Sequence, residues 1–162
     1  MKNCLILIIT LFFLASCNGQ TKQEKPQVAK PAVNDLPRME ITLMDGSKNQ
    51  ARELKGKNIF VMFFPDCEHC QEEAQAMEAN LDAFKAYTVY FLSSNPQPEI
   101  EKFAADYKLT GKDNVKFGMV TGESVINNFG PIPTPSIYIY NDQRLMKSFN
   151  GQTDIELVKS AL

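Results

Sequence analysis

Cys67 and Cys70 stand two residues apart, with His69 between them, in the stretch Phe63-Phe64-Pro65-Asp66-Cys67-Glu68-His69-Cys70-Gln71-Glu72-Glu73. Two thiols at that spacing can close and open a disulfide when they share one helical turn and one of them is reachable. The flanking pattern supplies such a turn. An apolar run, Ile59 to Phe64, leads into the pair, and Cys67, Cys70, Ala74, Met77, Leu81 and Phe84 recur at spacings of three or four along one stripe. This periodicity predicts a helix from about Glu68 to Lys85, with the cysteines on its first turn at the carboxyl end of a buried strand. Unpaired N–H groups and the positive end of the helix dipole favour a thiolate there.

Other uses of a close cysteine pair fit less well. Structural zinc takes four ligands, and the chain offers Cys67, Cys70 and its single histidine, His69. Haem attachment needs a histidine directly after the second cysteine, where Gln71 stands. A cationic His69 would stabilise a Cys67 thiolate and shift the couple towards oxidant. Asp66, Glu68, Glu72 and Glu73 act in the opposite direction.

The start of the chain bears on the compartment. Lys2 precedes an apolar run, Leu5 to Ala15, that has the length of a secretory signal core and is short for a bilayer span. It ends in Leu14-Ala15-Ser16-Cys17, which resembles a bacterial lipoprotein signal. The resemblance implies removal of residues 1–16, acylation of Cys17 and stable anchoring in a lipid bilayer, because two or more acyl chains hold where one does not. Cys4 would leave with the signal. Cys67 and Cys70 would then be the remaining thiols, in a compartment that permits disulfides. A pair this close shuts almost no loop and is a poor staple, so its value is chemical. Residues 17–36, rich in Lys, Gln, Ala and Pro, read as the lipidated cysteine and a disordered tether with a reach on the order of 25 Å.

Residues 37–162 read as one domain. With 44% apolar and 22% charged residues the chain can bury a core without cross-links. A net charge of −2, with no basic run, excludes a nucleic-acid surface. Met39, Ile41 and Leu43 alternate before an Asp45-Gly46 turn and predict a hairpin or edge strand. Val89 to Leu92 is a second buried run, and Ile100, Phe103, Ala104 and Tyr107 mark a second amphipathic helix. Strand, helix, strand and helix in that order imply parallel pairing through crossovers. A short strand, Val115 to Val120, and a helix, Glu123 to Phe129, follow. Three prolines, Pro131, Pro133 and Pro135, then precede a strand from Ser136 to Tyr140, which hairpins into Leu145 to Phe149. Thr153 and Glu156 have the spacing of a capping box for a last helix carrying Ile155, Val158 and Leu162.

The order βαβ, insert, ββα, with CxxC at a strand-to-helix junction and Thr134-Pro135 opening a later strand, resembles the α/β thioredoxin-like fold. That fold is a central mixed β-sheet flanked by helices, here with extra N-terminal strands and an αβ insert. Within it the chain is similar to the TlpA/ResA-like thiol-disulfide oxidoreductases. The resemblance implies that Cys67 attacks a substrate disulfide and Cys70 resolves the mixed disulfide. It also implies that Thr134-Pro135 is a cis-proline corner beside them, leaving a backbone edge for substrate, which suits a residue that cannot donate to a sheet. His69 occupies a place where isomerases and strong oxidases of this fold also carry histidine. Glu73 matches a glutamate implicated in handling the thiols' protons, although an acidic residue near a helix N-terminus is favourable in any case. The implied partners are protein disulfides or dithiols of the cell envelope and a membrane electron donor or acceptor. No cofactor or metal is implied. Asp66 stands where the family has an aromatic residue, and Val61 where thioredoxins bury an acid. Two alternatives remain. One is a peroxiredoxin-like peroxidase, whose peroxide-reactive cysteine would fall at Cys70. The other is a non-catalytic metal-delivery module.

Overall fold

Residues 33–162 are described in a computed structural model of the chain. The expected signal peptide, Cys17 and the tether as far as residue 32 lie outside the described residues. In chain order the strands are β1 (Glu40–Leu43), β2 (Lys48–Gln50), β3 (Lys57–Met62), β4 (Thr88–Ser93), β5 (Val115–Met119), β6 (Ser136–Asn141) and β7 (Arg144–Asn150). The helices are α1 (Glu68–Ala79), α2 (Leu81–Phe84), α3 (Gln97–Asp106), α4 (Gly122–Phe129) and α5 (Ile155–Ser160). All the strands join one mixed sheet in the order β2-β1-β5-β4-β3-β6-β7. Pairing is parallel between β3 and β4 and between β4 and β5, and antiparallel elsewhere.

The unbroken apolar sequence of β3 follows from its place. It is paired on both edges, and alternate side chains enter two different cores. Ile59 and Val61 join a cluster with Ala74 and Met77 of α1, Ile100 and Phe103 of α3 and Val158 of α5. Phe60 and Met62 face the other side, with Tyr90, Tyr138, Ile41 and Leu43. The helix α4 contributes only partly buried Val125 and Phe129 to that second cluster. Just past β3, Phe63 packs on Phe91, Phe103 and Phe117 at centroid distances of 5.9, 4.4 and 6.2 Å. This aromatic group pins the end of the strand from which the cysteine loop leaves. The N-terminal hairpin reaches the sheet because residue 118 is glycine. A Cβ there would lie 2.6 Å from Cγ2 of Ile41, a stiff, fully buried side chain.

Two expectations are corrected. The stripe from Cys67 to Phe84 is not one helix. Asn80 has φ −120° and ψ 21°, and its side-chain amide donates to the Ala76 carbonyl at 2.8 Å, which ends α1 before α2 restarts. The tether also ends earlier than residue 36. Leu36 is buried in the second core, the Asn34 side chain donates to the Arg52 carbonyl, and Asp35 pairs with Arg144 at 3.1 Å.

Candidate active site

The register of the sheet assembles the site. Met62 at the end of β3 pairs with Ser136 at the start of β6, so the residues just beyond each strand end meet. On one side these are Phe64 to Cys67, and on the other Thr134 and Pro135. The peptide bond between Thr134 and Pro135 is cis, as the resemblance implies. The Cys67 thiol faces the Thr134 carbonyl at 3.7 Å, and the Thr134 hydroxyl lies 3.9 Å from the same sulfur.

Cys67 is the N-cap of α1, one position before the first helical turn. Its Sγ accepts the Cys70 N–H at 3.3 Å, a place usually filled by Ser, Thr, Asp or Asn, and its own N–H donates to the Phe64 carbonyl at 3.2 Å. An anionic sulfur held there gains from the free N–H groups and the dipole of a three-turn helix. Cys67 is half-buried, whereas Cys70 is 1% exposed, and both are free thiols. Burial, and after it hydrogen bonding and charge at Cys67, push the Cys70 thiol up to about 12. The pair is therefore asymmetric, with one sulfur presented outwards and one held protonated beneath it.

Glu73 follows Cys70 by three residues on the same face of α1 and is 2% exposed. Its Oε2 accepts the Thr153 N–H at 3.3 Å, and its Oε1 has no hydrogen-bond partner among the described residues. Burial raises its carboxyl above the ordinary range, and the Thr153 bond offsets this only in part. Thr153 is thus not the cap of α5. That position belongs to Asp154, whose carboxylate accepts the Glu156 N–H at 2.9 Å. His69 lies on the exposed side of the turn, with Nδ1 3.4 Å from Glu72 Oε2, and the Gln152 side chain donates to the same oxygen. Gly151, at φ 87°, turns the chain after β7 so that Gln152 and Thr153 come down on α1. The sequence carries no local sign of this clamp beyond the glycine break.

A reachable N-cap cysteine, a buried partner one turn on and a cis-proline corner on a mixed sheet define a thiol-disulfide oxidoreductase of the thioredoxin class. The chain belongs to the AhpC/TSA family, whose model matches residues 33–148. It is 24% identical over 176 residues to the thiol-disulfide oxidoreductase ResA of Bacillus cereus, covering 99% of this chain and 96% of that protein. Among solved structures it is similar to MTB dsbF, with TM-score 0.66 and 18% identity, over 80% of this chain and 96% of that one. StoA from Bacillus subtilis gives TM-score 0.57 and 19% identity, over 78% of this chain and 98% of that one.

Proposed function

We propose that the protein is a lipid-anchored reductant of the bacterial cell envelope, facing the periplasm and opening disulfides of other envelope proteins. The asymmetry of the two sulfurs carries the disulfide-exchange part of this reading. The Cys67 thiolate attacks one sulfur of a substrate disulfide. That S–S bond breaks, a mixed disulfide forms, and the substrate's other sulfur leaves as a thiol after taking a proton. Cys70 then gives up its proton, for which Glu73 is the nearby acceptor on α1, and attacks Cys67 Sγ. The Cys67–Cys70 disulfide closes and the second substrate thiol departs, so two electrons have passed from protein to substrate. A dithiol donor at the membrane then opens the Cys67–Cys70 disulfide by the same exchange, returning both thiols and ending as a disulfide itself. His69, paired with Glu72, tunes the couple from the rim of the site.

Direction is a matter of potential. The Cys67/Cys70 couple, equilibrated with glutathione, is expected near thioredoxin's value of about −270 mV, and a result near −120 mV would make the protein an oxidant instead. Anchoring rests on Leu14-Ala15-Ser16-Cys17. Intact-mass spectrometry of the membrane-extracted protein is expected to give an N-terminus at Cys17 with added acyl mass. An unprocessed or unmodified terminus overturns the anchor and leaves the redox reading intact. The peroxide alternative requires Cys70 to attack first, and a thiol 1% exposed and held near 12 is poorly suited to that.

A further inference from the structure

On the face of the sheet opposite α1, a pocket of about 300 Å³ opens between residues 34–38, a single 3-10 turn (Ala51–Glu53), the end of α4 and β6. Tyr140 on its wall pairs with Asn58, whereas Ser136, four residues earlier on β6, pairs with Met62 at the dithiol end. The pocket therefore reaches about 13 Å along the strand from that end. Most polar groups around it are already spent. The Asn128 side chain accepts the Arg38 N–H at 2.7 Å and donates to the Arg38 carbonyl at 3.2 Å. The Asn34 side chain accepts the Leu36 N–H and donates to the Arg52 carbonyl. Asp35, the one carboxylate among the described wall residues, holds Arg144 at 3.1 Å and the Leu145 N–H at 3.0 Å. What is left over is all donor. The Arg38 and Arg52 guanidinium groups form no ion pair among the described residues, and Arg52 Nη1 makes one long bond of 3.5 Å to the Leu36 carbonyl. Tyr140 is 2% exposed, and its hydroxyl has no hydrogen-bond partner among the described residues. Burial raises the pKa of that hydroxyl, and the charges of Tyr138 and Asp35, both wall residues, add to the rise. A buried hydroxyl without a partner is costly unless a ligand or water meets it.

We propose that this pocket binds a phosphate group, carried by a lipid headgroup or by a soluble phosphate ester, through Arg38, Arg52 and Tyr140. The site is separate from the dithiol and does not depend on the disulfide-exchange reading. Three leftover donors on three segments, two of them cationic, call for negative charge and for acceptors in several directions. A phosphate spreads its oxygens tetrahedrally, whereas a carboxylate presents two in one plane and is served by a single guanidinium fork. The volume is at the lower end for small-molecule sites and suits a headgroup-sized ligand. Residues 34–38 are also where the stretch from Cys17 enters the domain. Acylation of Cys17 would bring headgroups within the tether's reach of the pocket.

The test holds the full chain in maltoside micelles, which carry no phosphate, and follows hydrogen exchange at the Asp35, Leu36 and Arg38 amides, all three of them hydrogen-bonded. Glycerol phosphate is added in one arm and phosphatidylglycerol in the other. In at least one arm, exchange at these amides is expected to slow about tenfold when the ligand stands at ten times its Kd. Three separate substitutions probe the donors. Arg38→Gln and Arg52→Gln remove charge but keep the main-chain bonds to Asn128 and Asn34, and Tyr140→Phe keeps the ring against Phe60. Each arginine change is expected to raise Kd about tenfold, and loss of the hydroxyl about fivefold. Any one of the three suffices if another misfolds. Protection by glycerol phosphate alone assigns a soluble ester, and protection by phosphatidylglycerol, with or without it, assigns a headgroup. No protection in either arm overturns the proposal. So does protection that survives all three substitutions, or that acetate gives equally well.

Discussion

Replacing Cys67 with serine is expected to abolish disulfide exchange, lowering the rate by more than about 10³-fold. Cys70→Ala should instead leave the first attack intact and strand the protein as a mixed disulfide with its substrate. The two thiols differ in their surroundings and not in their chemistry. Cys67 caps α1, takes an N–H from Cys70 and opens to solvent beside Thr134. Cys70 sits 1% exposed among apolar side chains, where its thiolate is strongly disfavoured until the site changes around it. Attack must therefore begin at Cys67, and only the mixed disulfide brings a bond within reach of Cys70. A hydroxyl at residue 67 has no accessible anion at neutral pH and no such role. Non-reducing electrophoresis and mass mapping of the trapped species check both halves. A substrate adduct on Cys70 in the Cys67→Ser protein, or rapid peroxide consumption that survives loss of Cys67, would reverse the order of attack and revive the peroxidase alternative.

What could be read without coordinates was whatever lies close along the chain or repeats with a regular period. The apolar runs at 59–64 and 89–92 became adjacent parallel strands because fully buried strands need no alternation. The CxxC pair landed at the start of α1 because the stripe from Ala74 to Met77 fixes the buried face. Periodicity could not reveal the break at Asn80, since Leu81 and Phe84 continue the apolar stripe past it and α2 still packs on the first core. Nor could it reveal the clamp on Glu72 and Glu73. Thr153 and Glu156 have the spacing of a capping box, but the Thr153 N–H is drawn 80 residues away in sequence to the Glu73 carboxylate, and Asp154 caps the helix in its place. Local spacing proposes hydrogen-bond partners. The register of β6 and β7 decides among them by setting where the chain re-emerges. An apolar pocket near Cys67 went unseen for a similar reason, because Phe64, Ile126 and Ile132, which line it, come from three separate segments.

Glu73→Gln is expected to move stability and rate in opposite directions. The carboxyl is almost wholly buried, receives one N–H from Thr153 and has one oxygen without a partner among the described residues. Burial raises its folded-state pKa above the ordinary value of 4.5. The folded protein therefore keeps a proton that the unfolded chain gives up. Its stabilising effect is fully present below that ordinary value and is lost as pH rises through the folded-state pKa. A neutral amide cannot ionise, so in urea titrations the variant should match the parent near pH 4 and exceed it near pH 8. Catalysis should go the other way. Cys70 must lose its proton before it can resolve the mixed disulfide, burial disfavours its thiolate, and a raised carboxyl on the same helix face can take the proton. Without that acceptor, resolution in single-turnover quench is expected to slow by about 10²-fold, while the first attack by Cys67 is unaffected. A merely structural acid would lose stability on substitution, or leave the resolving step alone. A Glu73→Gln protein that is firmer above neutrality yet slow to release its substrate identifies the buried carboxylate as a group kept for the proton it accepts, at a cost to the fold.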